Sequence, residues 1–200
     1  MAYPSVSAPY GLIPVGKMGG NVNNHAIRHI PIASAQSGNL FNGDLVKLTG
    51  GYAVKDSGTT TATPIGVFLG CFYTDADMGP TYKNYWPTGQ VASDAVAYVC
   101  DDPQQLFKVA IVSGTDSISS TNTLTFAHRG SNGQLVQNAG LTTTGKSKVA
   151  VNHTAATTAT FPIRFVDFVE ETKNSAGGYT EAIVKINAED HQYEAALGVA

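Results

Sequence analysis

The clearest alternation of apolar and polar positions lies between Phe41 and Tyr73. Val46 and Leu48 fall on one face of an extended segment and Leu45 and Lys47 on the other, and Thr49-Gly50-Gly51 then offers a turn before Tyr52 to Lys55 returns. The period of two and the glycine turn predict a β-hairpin with one face in a core. A polar loop over 56–63 leads into Pro64 to Tyr73, where strict alternation puts Ile65, Val67, Leu69, Cys71 and Tyr73 on one side and Gly66, Phe68, Gly70 and Phe72 on the other. A strand apolar on both faces belongs at the centre of a sheet. Its two glycines mark places where a backbone or a large side chain comes close.

The same reading extends along the chain. Residues 26–33, AIRHIPIA, predict a strand that Pro31 confines in part to an edge. Residues 75–90 read as a loop with Tyr82, Tyr85 and Trp86 between Pro80 and Pro87; those rings either face solvent or fold back to cap a core. Segments 94–100 and 106–113 are apolar strands joined by a turn-rich Asp-Asp-Pro-Gln-Gln, which predicts a second hairpin. The polar stretch 115–145 predicts weakly regular structure with a short helix near 116–121, followed by a strand at 146–152. A third hairpin is expected from 161–171 and 179–187, with Phe161, Ile163 and Phe165 on the inner side of one strand and Ala182, Val184 and Ile186 on that of the other. The tail, 189–200, has room for one or two helical turns stopped by Gly198.

Residues 1–26 carry three prolines and four glycines, which exclude a helix, yet Tyr3, Tyr10, Leu12, Ile13 and Val15 make them too apolar for a free linker. They are expected to form an extended arm lying on the chain's own sheet or on a neighbour, and its loss through residue 20 is expected to leave the rest folded. The chain thus divides into an arm (1–26), a β-rich domain (27–188) with an extension or subdomain from about 114, and a tail (189–200).

Composition narrows the function. Only 14% of residues are charged, strand formers outnumber helix formers, and the expected fold class is all-β, a small barrel or sandwich. Net charge is −3 with twelve Lys and Arg scattered singly, so no basic stripe suits nucleic acid. No apolar run approaches the roughly 20 residues of a membrane span, and the N-terminal stretch lacks the charged and apolar regions of a secretion signal. The two cysteines, Cys71 and Cys100, each fall in a strand; they read as buried free thiols, although the two could meet.

None of the reactive constellations has its context. His25 and His29 would share a helix face, but Pro31 argues against a helix and a third ligand is wanting, so no metal site is expected. Asp75-Ala76-Asp77 reads as a solvated turn, and Asp101-Asp102 and Glu170-Glu171 as solubilising strand ends. Gly140 to Ser147, GLTTTGKS, matches the G-x-x-x-x-G-K-[ST] phosphate loop, but a polar segment precedes it and β-branched residues follow where a helix is required. Asn152-His153-Thr154 is a glycan acceptor only in a secreted chain. No cofactor and no enzymatic activity are expected.

The order Ile32-Ala33-Ser34, Phe41-Asn42-Gly43-Asp44-Leu45-Val46-Lys47-Leu48 and Pro64-Ile65-Gly66-Val67-Phe68-Leu69-Gly70 resembles the proteins that decorate or cement the heads of tailed bacteriophages. The resemblance covers about residues 27–113. It implies a small β-barrel or β-tulip on the outer capsid surface, often trimeric, that clamps neighbouring major capsid subunits after synthesis in the host cytoplasm. Under that reading Tyr3, Tyr10, Leu12, Ile13, Val15, Tyr82, Tyr85 and Trp86 are the candidate capsid or subunit contacts. The alternative is a glycan-binding virion module that uses Tyr82, Tyr85 and Trp86.

Overall fold

The computed structural model describes residues 6, 8–20, 26–114, 124–172 and 178–193. The fold is nearly all β, with 48% of residues in strands and 7% in helix, as the alternation and composition imply. One sheet has the order β2 (Ile27–Pro31), β9 (Val96–Cys100), β6 (Gly66–Asp75), β4 (Leu45–Thr49), β5 (Tyr52–Lys55), and β7 (Gly79–Lys83) pairs with the far end of β6. A second follows the order β10 (Gln105–Val112), β12 (Ala150–Ala156), β11 (Asn132–Val136), β13 (Ile163–Phe168), β14 (Glu181–Ile186). Because β14 also pairs with β10, this ring closes into a five-stranded barrel. β3 (Leu40–Phe41) and β8 (Tyr85–Trp86) form a separate two-stranded ribbon.

The hairpins predicted at β4–β5 and β13–β14 form, and Ile163, Phe165, Ala182, Val184 and Ile186 all belong to the barrel core. But β4 buries both faces, with Leu45 in the barrel core and Val46 in that of the first sheet, and Phe161, expected on the inner side, is half-buried before β13 begins. The hairpin predicted from β9 and β10 does not. β9 pairs with β2 and β6, whereas β10 pairs with β12, β14 and, at the barrel's outer edge, β1 (Ile13–Lys17). Residues 101–104 therefore pass from one sheet to the other. The region expected to be a loop, 75–90, holds β7 and β8. The expected helix near 116–121 lies outside the described residues, and β11 within the polar stretch is an integral stave of the barrel. The described part of the tail holds one helical turn, α1 (Glu189–Gln192), with Tyr193 after it in a left-handed conformation (φ 55°); the expected stop at Gly198 lies outside the described residues.

Strict alternation fails once in the central strand. Phe68 pairs with Val99 and Gly70 with Tyr98, which leaves Leu69 as the extra residue of a β-bulge. The bulge resets the faces: Ile65, Phe68, Cys71 and Tyr73 belong to the core of the first sheet, while Val67 and Leu69 join the core of the closed barrel. The glycines fall where the strand is crowded. A Cβ on Gly66 would lie 2.4 Å from the Cys100 carbonyl oxygen, and one on Gly70 2.6 Å from the Tyr82 hydroxyl.

Within the arm expected over 1–26, residues 11–17 are built into the fold. Leu12 is fully buried in the barrel core, and β1 adds antiparallel to β10 through Pro14–Phe107 and Gly16–Leu106, with a bulge between them. Leu12 N–H donates to the Gly43 carbonyl (3.0 Å) and Gly11 N–H to that of Val149 (3.2 Å). The prolines and glycines that exclude a helix here do not keep the segment from pairing as a strand, for a physical reason. β1 is an edge strand, where a proline without an N–H costs no ladder bond if that position faces away from the partner.

Candidate functional site

The crossing of residues 10–12, 41–44 and 145–149 fixes the two sheets against each other. Asp44 is fully buried there; its carboxylate accepts from the Phe41 N–H (2.9 Å), the Ser147 hydroxyl (2.6 Å) and the Lys55 ammonium (3.2 Å). Gly11 is the residue that fits, since a Cβ would lie 2.7 Å from both the Gly43 oxygen and Ser147 Cβ. This accounts for the phosphate-loop match. Ser147 is buried with its hydroxyl donated to Asp44, Gly140 packs flat on the Phe41 ring, and the loop runs into β12 rather than into a helix. A buried serine oxygen bound to a carboxylate is not placed to hold a metal-bound nucleotide.

The candidate aromatic residues are dispersed. Trp86 is fully buried, its ring edge-on to Tyr73 at 5.2 Å, and Tyr85 is half-buried and stacked on Phe41 at 5.6 Å. Of the three, Tyr82 alone is a surface ring, 58% exposed. In the N-terminal segment Leu12 is core. Tyr10 donates its hydroxyl to the buried Glu181 carboxylate, and burial raises its pKa well above the usual phenol value. Ile13 is half-buried, Val15 is exposed on β1, and Tyr3 lies outside the described residues. Leu12 and Trp86 are thus corrected from contact candidates to core residues.

Tyr82 has a context that its neighbours in sequence do not reveal. Cross-strand partners in an antiparallel sheet present side chains on the same face. Pro31 faces Val96, Val96 faces Phe72, and Phe72 faces Tyr82; in the next row His29 faces Tyr98, which faces Gly70. The Tyr82 ring leans over Gly70 and meets Tyr98 at 5.8 Å, and Tyr98 meets His29 edge-on at 4.7 Å. His29 and Pro31 are exposed, and Phe72, Val96 and Tyr98 are half-exposed. One row further along the same face, Cys100 and Val67 are buried in the core shared with the barrel. So one sheet face is covered by the barrel at one end and forms an apolar, aromatic strip at the other. None of the six strip residues carries a carboxylate or an ammonium, so covering them costs little in charge desolvation.

Other chemistry is accounted for locally. Asp75 accepts from the Asp77 and Met78 N–H groups, as the solvated turn requires, and those bonds hold its pKa below the usual carboxylate range. Cys71 and Cys100 are free and buried, and burial pushes their thiols up to about 12 and about 11 respectively. Among the described residues no group of three or more His, Cys, Asp or Glu side chains could hold a metal ion, and no helix is long and apolar enough to cross a membrane. An open groove of about 370 Å³ lies between loop 61–63, residues 159–160 and the start of α1, lined largely by threonine and alanine with Glu189 and Asp190 at one side. Comparison of the chain with protein-family models, with curated proteins and with solved structures finds no match.

Proposed function

We propose that this chain is a non-enzymatic decoration protein of tailed-bacteriophage heads, which sits on the outer capsid surface and holds neighbouring major capsid subunits together. The observation that carries the reading is the strip His29, Pro31, Phe72, Val96, Tyr98 and Tyr82: an exposed, ring-bearing sheet face without a carboxylate or an ammonium. Such a surface suits a protein partner, because aromatic anchors supply large contact area at low conformational-entropy cost. The ordered resemblance over residues 27–113 supplies the class of partner. Self-association, as a trimer in the proteins it resembles, belongs to the same proposal, as does residence on the virion after synthesis in the host cytoplasm. The glycan alternative loses its platform, since Trp86 and Tyr85 do not stand beside Tyr82 at the surface.

The test is attachment to undecorated heads by wild-type protein, Tyr82→Ser and Val96→Asp. Occupancy that falls at least about tenfold in both variants, with unchanged circular dichroism, supports the strip as the attachment face; undiminished occupancy removes it. Retention of the wild-type protein on immobilised polysaccharide without heads would favour the glycan reading instead.

A further inference from the structure

The C-terminal turn carries one fully buried histidine. His191 is 0% exposed, and its Nδ1 lies 2.7 Å from the Ile65 carbonyl oxygen, an acceptor only, so Nδ1 carries the proton. Its other nitrogen, Nε2, is buried and makes no hydrogen bond. Burial favours the neutral form of the ring, while the Ile65 and Asp102 backbone oxygens favour the imidazolium. Arg28 also donates to the Tyr193 hydroxyl (2.9 Å) and lies over the Tyr193 ring at 5.0 Å, Ala188 before the turn is part of the barrel core, and α1 is one turn long, too short to persist alone.

We propose that α1 and Tyr193 form an acid-sensitive latch, in which protonation of His191 at Nε2 releases the turn from the surface formed by Ile65, Arg28 and the 101–102 connection. Every charged group facing the ring bears on the sign. From the connection come Asp101, whose carboxylate is engaged by Arg28 Nε at 2.8 Å, and Asp102, which pairs with Lys17 of β1. From β14 comes Lys185, and α1 itself carries Glu189 and Asp190. Burial lowers the His191 pKa below the ordinary value, and it outweighs the Ile65 and Asp102 backbone oxygens and the Asp101 charge, which favour the imidazolium. A group with a depressed folded-state pKa contributes stability that is present above its unfolded value, about 6.5, and is lost as pH falls through the folded value. Asp101 works the other way. Burial raises its pKa, so its share of the desolvation cost is relieved as pH falls. The latch opens on the acid side of about 6.5, with the His191 contribution outweighing that of Asp101.

The experiment follows amide protection by hydrogen exchange at His191 and Tyr193, whose N–H groups donate to Ala188 and Asp190, from pH 7.5 to 5.0, alongside the His191 ring resonances. Protection factors in the full chain are expected to fall at least about tenfold below pH 6.5, with the midpoint matching the ring titration, while protection in the barrel strands stays constant. His191→Gln, which can still donate to Ile65 but does not titrate, is expected to abolish the step, and Asp101→Asn to leave it in place. Constant protection across the range in wild type, or a step that persists in His191→Gln or disappears in Asp101→Asn, overturns the proposal. If His191→Gln does not fold, the wild-type comparison of ring and amide midpoints decides alone: coincident midpoints support the latch, and separate ones refute it.

Discussion

Replacing Asp44 with alanine would leave a buried N–H, a buried hydroxyl and a half-buried ammonium without their shared acceptor. Breaking a buried charge pair in this way costs about 3–5 kcal/mol, whereas Ser147→Ala, which removes one donor to Asp44 and the acceptor of the Val149 N–H, costs about 1–3 kcal/mol. Urea unfolding of the two variants checks the order. The glycines separate as sharply. Gly66→Ala pushes a methyl to 2.4 Å from the Cys100 oxygen and is expected to lose about 1–3 kcal/mol or more, while Gly16→Ala, with nothing within 4 Å, stays within about 0.5 kcal/mol. With thiols raised to about 12 and about 11 by burial, Cys71 and Cys100 are expected not to react with an aromatic disulfide reagent at pH 8 until the protein is unfolded. Fast reaction of either in the native protein would contradict its placement. The crowding at Gly66 and Gly70 is legible in the sequence, because glycine weakens a strand of large apolar residues and is kept there chiefly where a side chain would collide. The hub at Asp44 is not, since its partners are 3, 11 and 103 residues away along the chain.

Elements whose partners are sequence neighbours can be read from the alternation; those with distant partners cannot. The β4–β5 and β13–β14 hairpins pair each strand with the next one along the chain, and the alternation predicts both. β9 and β10 are equally apolar and equally close in sequence, but each is buried by strands far along the chain, so proximity at Asp101-Asp102 misleads. The prolines mislead in one consistent way. Pro14 in β1 and Pro80 in β7 argue against regular structure, and both sit in strands paired on one side only. Trp86 is obscured for the same reason, as β8 follows directly on β7. Removal of residues 1–20 now carries a definite expectation: loss of β1 and of Leu12 lowers stability well beyond the roughly 2–5 kcal/mol of a Leu→Ala core truncation, and Leu12→Ala alone falls within that range. A truncated chain with an unchanged melting temperature would show that β1 is dispensable.

At the scale of the molecule, the barrel core takes in Leu45, Val67 and Cys100 from the first sheet together with Phe107, Phe165 and Val184 from the barrel. A core shared in this way predicts a single cooperative unfolding transition by calorimetry. It also predicts that the fragment 1–113, which contains all of the residues resembling decoration proteins, does not fold alone, because β10 would lose both β12 and β14. The strip on the first sheet is left open by this arrangement, and the proposed function rests on its being covered in the virion. The most direct measurement is electron microscopy of phage heads assembled with and without this protein, paired with their rupture temperature. The account predicts density for this β-protein on the outer surface, with the Tyr82 face against the capsid subunits and rupture at a higher temperature when it is present. Heads that bind none of the protein, or bind it without any change in rupture temperature, would contradict it.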